Sequence, residues 1–353
     1  MTATDVLTAQ LAHTLDRTEW TTMAGRGPLT RYDGKVRDCY IDAGRGERVI
    51  VVTDRLSAFD MVIGLIPFKG QVLNRLASFW FENTRDVAPN HMISMPDPTV
   101  LEARECTPLP VEMVMRAYVT GVTSTSIWTH YARGERVFCG HRLPDGLRKN
   151  ERLPAPILTP STKAPKGDHD VSASREEILA MGHISAEDFD AAADIAARLF
   201  AHGQKWCADR DLILVDTKYE LGKRPDGRIV VIDEMHTPDS SRFWKAQGYE
   251  ERLAKGESQV MLDKENLRQW LIAERGFSGQ GTPPAIPDDV RVSLSQKYVA
   301  AYETITGTTF APEVGNVAAL GAGAPPPPPG VPICPPGAPA APVAVPLVAL
   351  LPA

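Results

Sequence analysis

The run LILVDTKYELGKRPDGRIVVIDE, residues 212 to 234, sets acids and a lysine at alternate positions of an otherwise apolar pattern. In a strand, residues two apart share a face, so Asp216, Lys218 and Glu220 project together while Ile213, Val215 and Thr217 take the other side. A two-residue loop at Asp226 and Gly227 would pair Pro225 with Arg228 and bring Glu220 opposite Asp233. Opposed carboxylates repel unless a proton or cation lies between them, and oxygen ligation of Mg²⁺ is one solution. Lys218 would add a movable positive charge. The competing reading is a solvated sheet face whose acids simply meet water.

Directly after the acidic strand, TPDSSRFW (237 to 244) reads as a turn presenting Asp239, Ser240, Ser241 and Arg242. Arg242 suits a forked contact with a carboxylate or phosphate, and an Asp or Ser here also suits a helix N-cap. YDGKVRDCY (32 to 40) puts Lys35 and Arg37 after a glycine in a strand-turn-strand setting, without a Walker pattern. TDRLSAFD (53 to 60) reads as a loop at a sheet edge carrying Asp54, Ser57 and Asp60, and Lys69 stands at the start of a helix. Arg116, Ser124, Ser126, Lys163, Asp168, His169 and Asp170 form a further set of anion and polar ligands. His169 reads equally as a base or as a surface residue.

The elements that must position these groups are mixed. Residues 29 to 110 favour strands and short turns, including a hairpin at Gly34 and the run VIVVT (49 to 53), followed by a helix over QVLNRLASFWFENT. VEMVMRAYV (111 to 119) predicts a strand, SIWTHYARG a short helix closed by Gly134, and 153 to 172 a proline-rich polar connector. Ser185 begins a long helix with Asp188 as capping-box partner. Two later helices cover DKENLRQWLIAERG and the segment from Pro287 to Gly307. This order predicts an α+β enzyme rather than regular βαβ alternation. The expected divisions are an N-terminal helical extension at 1–27, a β-rich lobe at 28–110, an α+β catalytic region at 111–310 and a tail at 311–353.

Bulk properties narrow the class. With 353 residues and 43% hydrophobic composition the chain can bury a sizeable core. A net charge of -6 gives no general attraction to nucleic acid. Five widely spaced cysteines without a CxxC pair suit a reducing cytoplasm, and there is no secretory leader pattern or apolar run of membrane-spanning length. The sequence after Glu313 has no charged residue and is rich in proline and alanine, which predicts disorder. A polyproline ligand is the rival reading, but basic anchor residues are absent.

Taken together, GKVRDCY, TDRLSAFD, the PxLTPSTKAxxGDHD connector, LVDTKYELG, VIDEMHTPDSSRFW and DKENLRQWL resemble the phosphoribosylaminoimidazole-succinocarboxamide synthase family, also called SAICAR synthetase, from about residue 28 to 307. The resemblance implies an α+β fold with sheet-based nucleotide-binding lobes, reminiscent of ATP-grasp and kinase lobes, around a cleft with C-terminal helices. It implies ATP-dependent ligation of L-aspartate to the carboxylate of the carboxyaminoimidazole ribonucleotide CAIR, with ATP and Mg²⁺ as cofactors, in a monomer or homodimer. By the same resemblance, Lys35 and Arg37 would contact nucleotide phosphates, and Glu220 and Asp233 would hold the metal. Lys218, Lys163 and Asp216 would form the catalytic set. Arg116 and Ser126 would hold the ribonucleotide phosphate, while Asp60, Asp239, Ser241, Arg242, Lys264 and Arg268 would contact the substrates. VTSTSIW is longer than the family's usual glycine-serine turn, so Ser124 competes with Ser126; the spacing of SIWTHY favours Ser126. A small-molecule phosphotransferase or a non-catalytic nucleotide-binding protein on the same fold is the rival reading.

Overall fold

In the computed structural model, residues 3–23, 25–163, 170–313 and 321–322 are described. The N-terminal part runs α1 (Ala3–Gln10), β1 (Thr22–Met23), β2 (Thr30–Asp33), β3 (Arg37–Asp42), β4 (Glu47–Val52), β5 (Arg55–Ala58), β6 (Met61–Leu65), α2 (Lys69–Asn83), β7 (Met92–Asp97) and β8 (Val100–Arg104). There follow β9 (Thr107–Tyr118), α3 (Ile127–Ala132), β10 (Val137–Phe138), β11 (His141–Arg142), β12 (Arg152–Leu158), β13 (Ser161–Thr162), α4 (Arg175–Ala180) and α5 (Ala186–Ala208). The last group is β14 (Leu212–Lys223), β15 (Ile229–Ile232), β16 (Ser241–Lys245), α6 (Tyr249–Lys255), α7 (Glu265–Arg275), α8 (Asp288–Thr306) and β17 (Gly321–Ala322).

The strands form two main antiparallel sheets, as the α+β reading requires. One has five strands in the order β2-β3-β4-β8-β7. The other has six, following β12-β9-β14-β15 with β13 also on β9 and β16 also on β14. A parallel bridge between Asn90 and Val231 joins them: His91 N–H donates to Val231 O (3.0 Å) and Val231 N–H to Pro89 O (3.0 Å). The apolar faces of α2, α5 and α8 pack with both sheets into one large core that includes Leu76, Trp80, Phe200, Tyr219 and Tyr298.

Packing is tight where α5 crosses the second sheet. A Cβ on Gly203 would lie 2.4 Å from His236 Cε1 and 2.9 Å from Leu214 Cδ2, so only glycine lets the helix approach. His236 itself is buried between the edge of Trp80 (4.7 Å between centroids) and Tyr219, whose hydroxyl meets its Nε2. Burial holds this imidazole neutral, with its pKa pushed down to about 3.

Three local expectations change. The proline-rich connector contains β12 and β13. Pro154 and Pro156 are tolerated because β12 is an edge strand whose register on β9 shifts between Arg152 and Ile157. The 53–60 loop is a hairpin: β5 pairs with β6 around Phe59 and Asp60, both at positive φ (52° and 62°), as a two-residue primed turn demands. At α5, Ser185 Oγ accepts the Asp188 N–H (3.1 Å), but the Asp188 carboxylate goes to Lys223 Nζ (2.9 and 3.0 Å) rather than completing the box. The complete capping box stands at Ser174 and Glu177 instead. The proline-rich tail apart from Gly321–Ala322, which pairs with β1, lies outside the described residues, as do Asp168 and His169.

Candidate active site

β14 carries the site because it is flanked by β9 and β16 on the side where its charges project. Asp216 stands opposite Arg116 of β9 and Arg242 of β16, so two guanidinium groups converge on one buried carboxylate. Its Oδ2 accepts from Arg242 Nη1 at 2.6 Å and from Arg116 Nη1 at 3.3 Å. Arg242 also donates to Glu265 (3.2 Å), which Arg268 approaches from the next turn of α7 (3.1 Å). Arg116 is further fixed by Thr159 Oγ1 (2.8 Å) and Thr125 O (3.1 Å). Burial, joined by the neighbouring Arg242, lowers the Arg116 pKa despite Asp216, which marks a place where one more anion would be stabilising.

A cavity of about 210 Å³ opens beside these groups, lined by Arg116, Ser126, Lys218, Asp239, Ser241, Arg242, Lys264 and Arg268 among others. The Nε atoms of Arg242 and Arg268 are buried there without a hydrogen-bond partner among the described residues. An unpaired buried donor costs about 1–3 kcal/mol, so a cavity with two of them is prepared for an anionic ligand. Ser126 lines this cavity and is buried, whereas Ser124 is exposed and its carbonyl bonds His130 Nε2 (2.9 Å). The wall is narrow: Gly121, at φ 102°, leaves no room for a Cβ, which would stand 2.3 Å from Ser126 Oγ and 2.9 Å from Arg242 Nη2.

Further along β14 lies a cluster of alternating charge. Lys218 Nζ bridges Glu112 (2.7 Å) and Glu220 (2.6 Å), and Lys163 reaches Glu220 from the segment after β13. Burial opposes ionisation of Glu220, but the two lysines outweigh it and hold its carboxyl well below the usual range. Arg37 of β3 crosses from the other sheet to Asp233 (2.7 Å) and Glu234 (2.7 Å). Burial raises Asp233 to about 6, and the negative neighbours Glu220 and Glu234 add to this against Arg37.

The expected hairpin register is corrected by one residue. Arg224 N–H donates to Arg228 O and Gly227 has φ 84°, so the loop has three residues, Pro225 to Gly227, and Glu220 pairs with Ile232. Asp233 therefore does not face Glu220 across the ladder. It follows β15 at φ 69°, in a bend that leaves it close enough to interact electrostatically with Glu220 and Lys218.

Lys35 and Asp60 are not brought to the cavity. They pair with each other at 2.7 Å on the surface, both more than half exposed. Ser241 and Arg242 sit on β16 rather than on a turn, and Asp239 is buried with its oxygens taken by Lys69 Nζ (2.9 Å) and the Tyr298 hydroxyl (2.6 Å). Four participants escaped the sequence reading: Glu112, Glu234, Glu265 and Asp263. Each acid interrupts an apolar or helical run, which was the available clue. A larger cleft of about 1440 Å³ lies at the far end of β14, but its Lys223 is already paired with Asp188.

The donor chemistry at Glu220 and Asp233 fits Mg²⁺. No three His, Cys, Asp or Glu residues converge as a metal cage among the described residues, yet Mg²⁺ commonly takes one or two carboxylates and completes its shell with phosphate and water. Asp233, a buried carboxylate with Glu220 and Glu234 as negative neighbours, suits that arrangement.

Known proteins resemble this chain over most of its length. The SAICAR synthetase family model matches residues 30–283. A phosphoribosylaminoimidazole-succinocarboxamide synthase of Legionella pneumophila is 47% identical over 280 residues, covering 79% of this chain and 88% of that protein. The chloroplastic enzyme of the same name from Arabidopsis thaliana is 49% identical over 282 residues, covering 80% and 68%. Among solved structures, the SAICAR synthase of Saccharomyces cerevisiae complexed with SAICAR superposes with a TM-score of 0.69 at 31% identity, covering 85% of this chain and all of that one.

Proposed function

Since the chain belongs to the SAICAR synthetase family, we propose that its cleft joins L-aspartate to the carboxylate of CAIR with consumption of ATP, giving SAICAR, ADP and phosphate in purine biosynthesis. The observation that carries the reading is a polar cavity lined by Arg116, Arg242, Lys264 and Arg268, two of whose arginines keep buried Nε donors without a partner among the described residues, beside the Lys218, Glu220 and Arg37 cluster. An anionic substrate and a polyphosphate are thereby held side by side.

A carboxylate is a poor acyl donor because its leaving oxygen is anionic. In the proposed reaction the CAIR carboxylate oxygen attacks the γ-phosphorus, the bond to the β,γ-bridging oxygen breaks, and ADP departs. The aspartate nitrogen then attacks the acyl carbon, the C–N bond forms and phosphate leaves with the acyl oxygen. Positioning and charge stabilisation account for such chemistry without a protein nucleophile.

Arg37, Lys218 and Lys163 balance the phosphoryl charge in this reading, and Glu220 and Asp233 would hold Mg²⁺. When bound, that ion supplies further neutralisation of the phosphate oxygens. Arg116, Ser126 and Arg242 take the ribonucleotide phosphate, with Asp216 orienting both arginines. Asp239, Ser241 and Arg268 surround the reacting carboxylate, and Lys264 stands on the side of the incoming aspartate. The mechanism asks no catalytic part of Cys39, Cys106, Cys139 and Cys207, which are free thiols.

The test is formation of the succinocarboxamide from CAIR, ATP, Mg²⁺ and L-aspartate, with each omitted in turn. Product is expected only with all four present. Stoichiometric phosphorylation that ignores aspartate would favour a phosphotransferase, and nucleotide binding without turnover a non-catalytic protein.

A further inference from the structure

The aspartate nitrogen poses a chemical demand that the charge clusters do not meet. An amino acid arrives as an ammonium ion with no lone pair, so a proton must leave before nitrogen can attack the acyl carbon. Arginines remain charged and cannot accept it. The carboxylates that line or adjoin the cavity are engaged: Asp216 with Arg116 and Arg242, Glu265 with Arg242 and Arg268, Asp239 with Lys69 and Tyr298, Glu112 with Lys218, and Asp263 with the Phe243 and Glu265 N–H groups, while Asp170 also has a partner.

Lys264 is the exception. It lines the cavity with Asp239 and Arg268, and its side-chain nitrogen feels burial and through-space charges, with no ion pair or hydrogen bond from a described residue. Its position is fixed by its backbone: the N–H donates to Pro238 O (3.3 Å), and its carbonyl accepts the Leu267 and Arg268 N–H groups (3.1 and 3.2 Å) at the start of α7. The pairing of Lys69 with Asp239 explains why the lysine is left over. A fully buried ammonium from α2 and a hydroxyl from α8 already satisfy Asp239, the carboxylate with the largest pull on its charge.

Resting on the ligase reading above, we propose that Lys264 is the proton acceptor for the amine of the incoming aspartate. The neutral Nζ takes a proton from the ammonium, the freed nitrogen pair attacks the acyl carbon, and the second nitrogen proton leaves with the departing phosphate. The groups around Nζ allow this. Asp239 and Glu234, from the segment after β15, favour the charged form; Arg268 of α7 and Lys69 of α2 disfavour it. Asp263 precedes it in the chain, Arg242 of β16 shares the cavity, and Lys297 of α8 is turned to Asn266 (2.8 Å). Burial is the largest influence and, with the two cations, brings the lysine down to about 8, where a useful neutral fraction exists near physiological pH.

The decisive experiment separates proton removal from charge and from phosphoryl transfer. Wild type, Lys264→Met and Lys264→Arg are assayed in the full chain with CAIR, ATP and Mg²⁺, using either L-aspartate or hydroxylamine as nucleophile. Hydroxylamine is largely unprotonated at neutral pH and traps an acyl phosphate as the hydroxamate without a base. Both variants are expected to lose about 10²–10⁴-fold in kcat with aspartate. Both should keep hydroxamate formation within about threefold, which also shows that they fold. Retained aspartate turnover in Lys264→Arg would overturn the assignment, because arginine preserves charge but accepts no proton. A parallel fall in hydroxamate would overturn it too, placing Lys264 in binding or phosphoryl transfer. Absence of both products from the wild type would instead sink the ligase reading, and this inference with it.

Discussion

At Asp233 a single backbone conformation links two sheets, because φ of 69° turns the chain after β15 and aims the carboxylate at Arg37. Asp233→Asn removes the charge while keeping nearly the same shape, so the fold should survive and the demand for metal should rise. Turnover at limiting Mg²⁺ is expected to drop at least tenfold and to recover partly at high Mg²⁺; an unchanged Mg²⁺ dependence would remove Asp233 from the metal site. Asp263 offers a different test, of stability. It is 1% exposed, accepts the Phe243 and Glu265 N–H groups (2.9 and 2.7 Å), and is nonetheless pushed by burial from 3.8 to about 7. A raised carboxyl pKa means the folded protein binds more protons than the unfolded chain between those values. Its stabilising contribution is therefore complete below about pH 4 and lost as pH rises through about 7. Asp263→Asn does not titrate, so its stability relative to wild type should improve between pH 5 and 8 by roughly 2–4 kcal/mol. Urea midpoints of the two proteins at both pH values check the sign, and a pH-independent difference would refute it.

Elements rather than residues decide how closely β14 and α5 approach. Gly203→Ala places a methyl group against His236 and Leu214 in a region with no flexible surface side chain to give way, since His236 is held by Trp80 and Tyr219. A loss of about 1–3 kcal/mol is expected from this overpacking. It should appear in the melting temperature together with weaker substrate saturation, because the loop after β15 carries Asp239. Melting unchanged from wild type would mean that α5 has freedom the packing denies. The same region shows what the sequence made legible. Period-two spacing is a robust property of strands, so the common face of Asp216, Lys218 and Glu220 could be read directly. The pairing of Glu220 with Ile232 could not, because Pro-Asp-Gly suits a two-residue or a three-residue loop and the choice moves every partner by one. The closeness of Asp233 depends on a positive φ at a non-glycine residue, which composition does not announce. Prolines hid β12, which only its edge position makes acceptable. Glu112 read as part of an apolar strand until Lys218 of the adjoining strand was seen to bond it.

For the molecule as a whole, the cavity is lined from the six-stranded sheet and α7, and the last described segments brace α2 and β1 rather than the cavity. Glu313 clasps α2: its N–H donates to Gln71 Oε1 (3.1 Å), its carbonyl accepts from Gln71 Nε2 (2.6 Å), and its carboxylate meets Arg75. Gly321 and Ala322 add a two-residue strand beside Thr22 and Met23. None of the proposed site residues lies beyond Arg268, so successive truncation separates support from catalysis. A chain ending at Ala322 should match the full chain in urea midpoint and turnover. One ending at Glu313 loses the short strand, for an expected change of about 1 kcal/mol. One ending at Phe310 loses the two backbone bonds to Gln71, the Arg75 bond to Ala311 O and the ion pair, for about 1–3 kcal/mol, since each hydrogen bond contributes about 1 kcal/mol and an exposed pair little more. In all three, kcat should stay within about twofold of the full chain at a temperature well below the melting point, because local support is lost without disturbing the arginines and lysines at the cleft. Loss of turnover on ending the chain at Ala322, with the urea midpoint unchanged, would give the proline-rich segment a functional role that its composition does not predict.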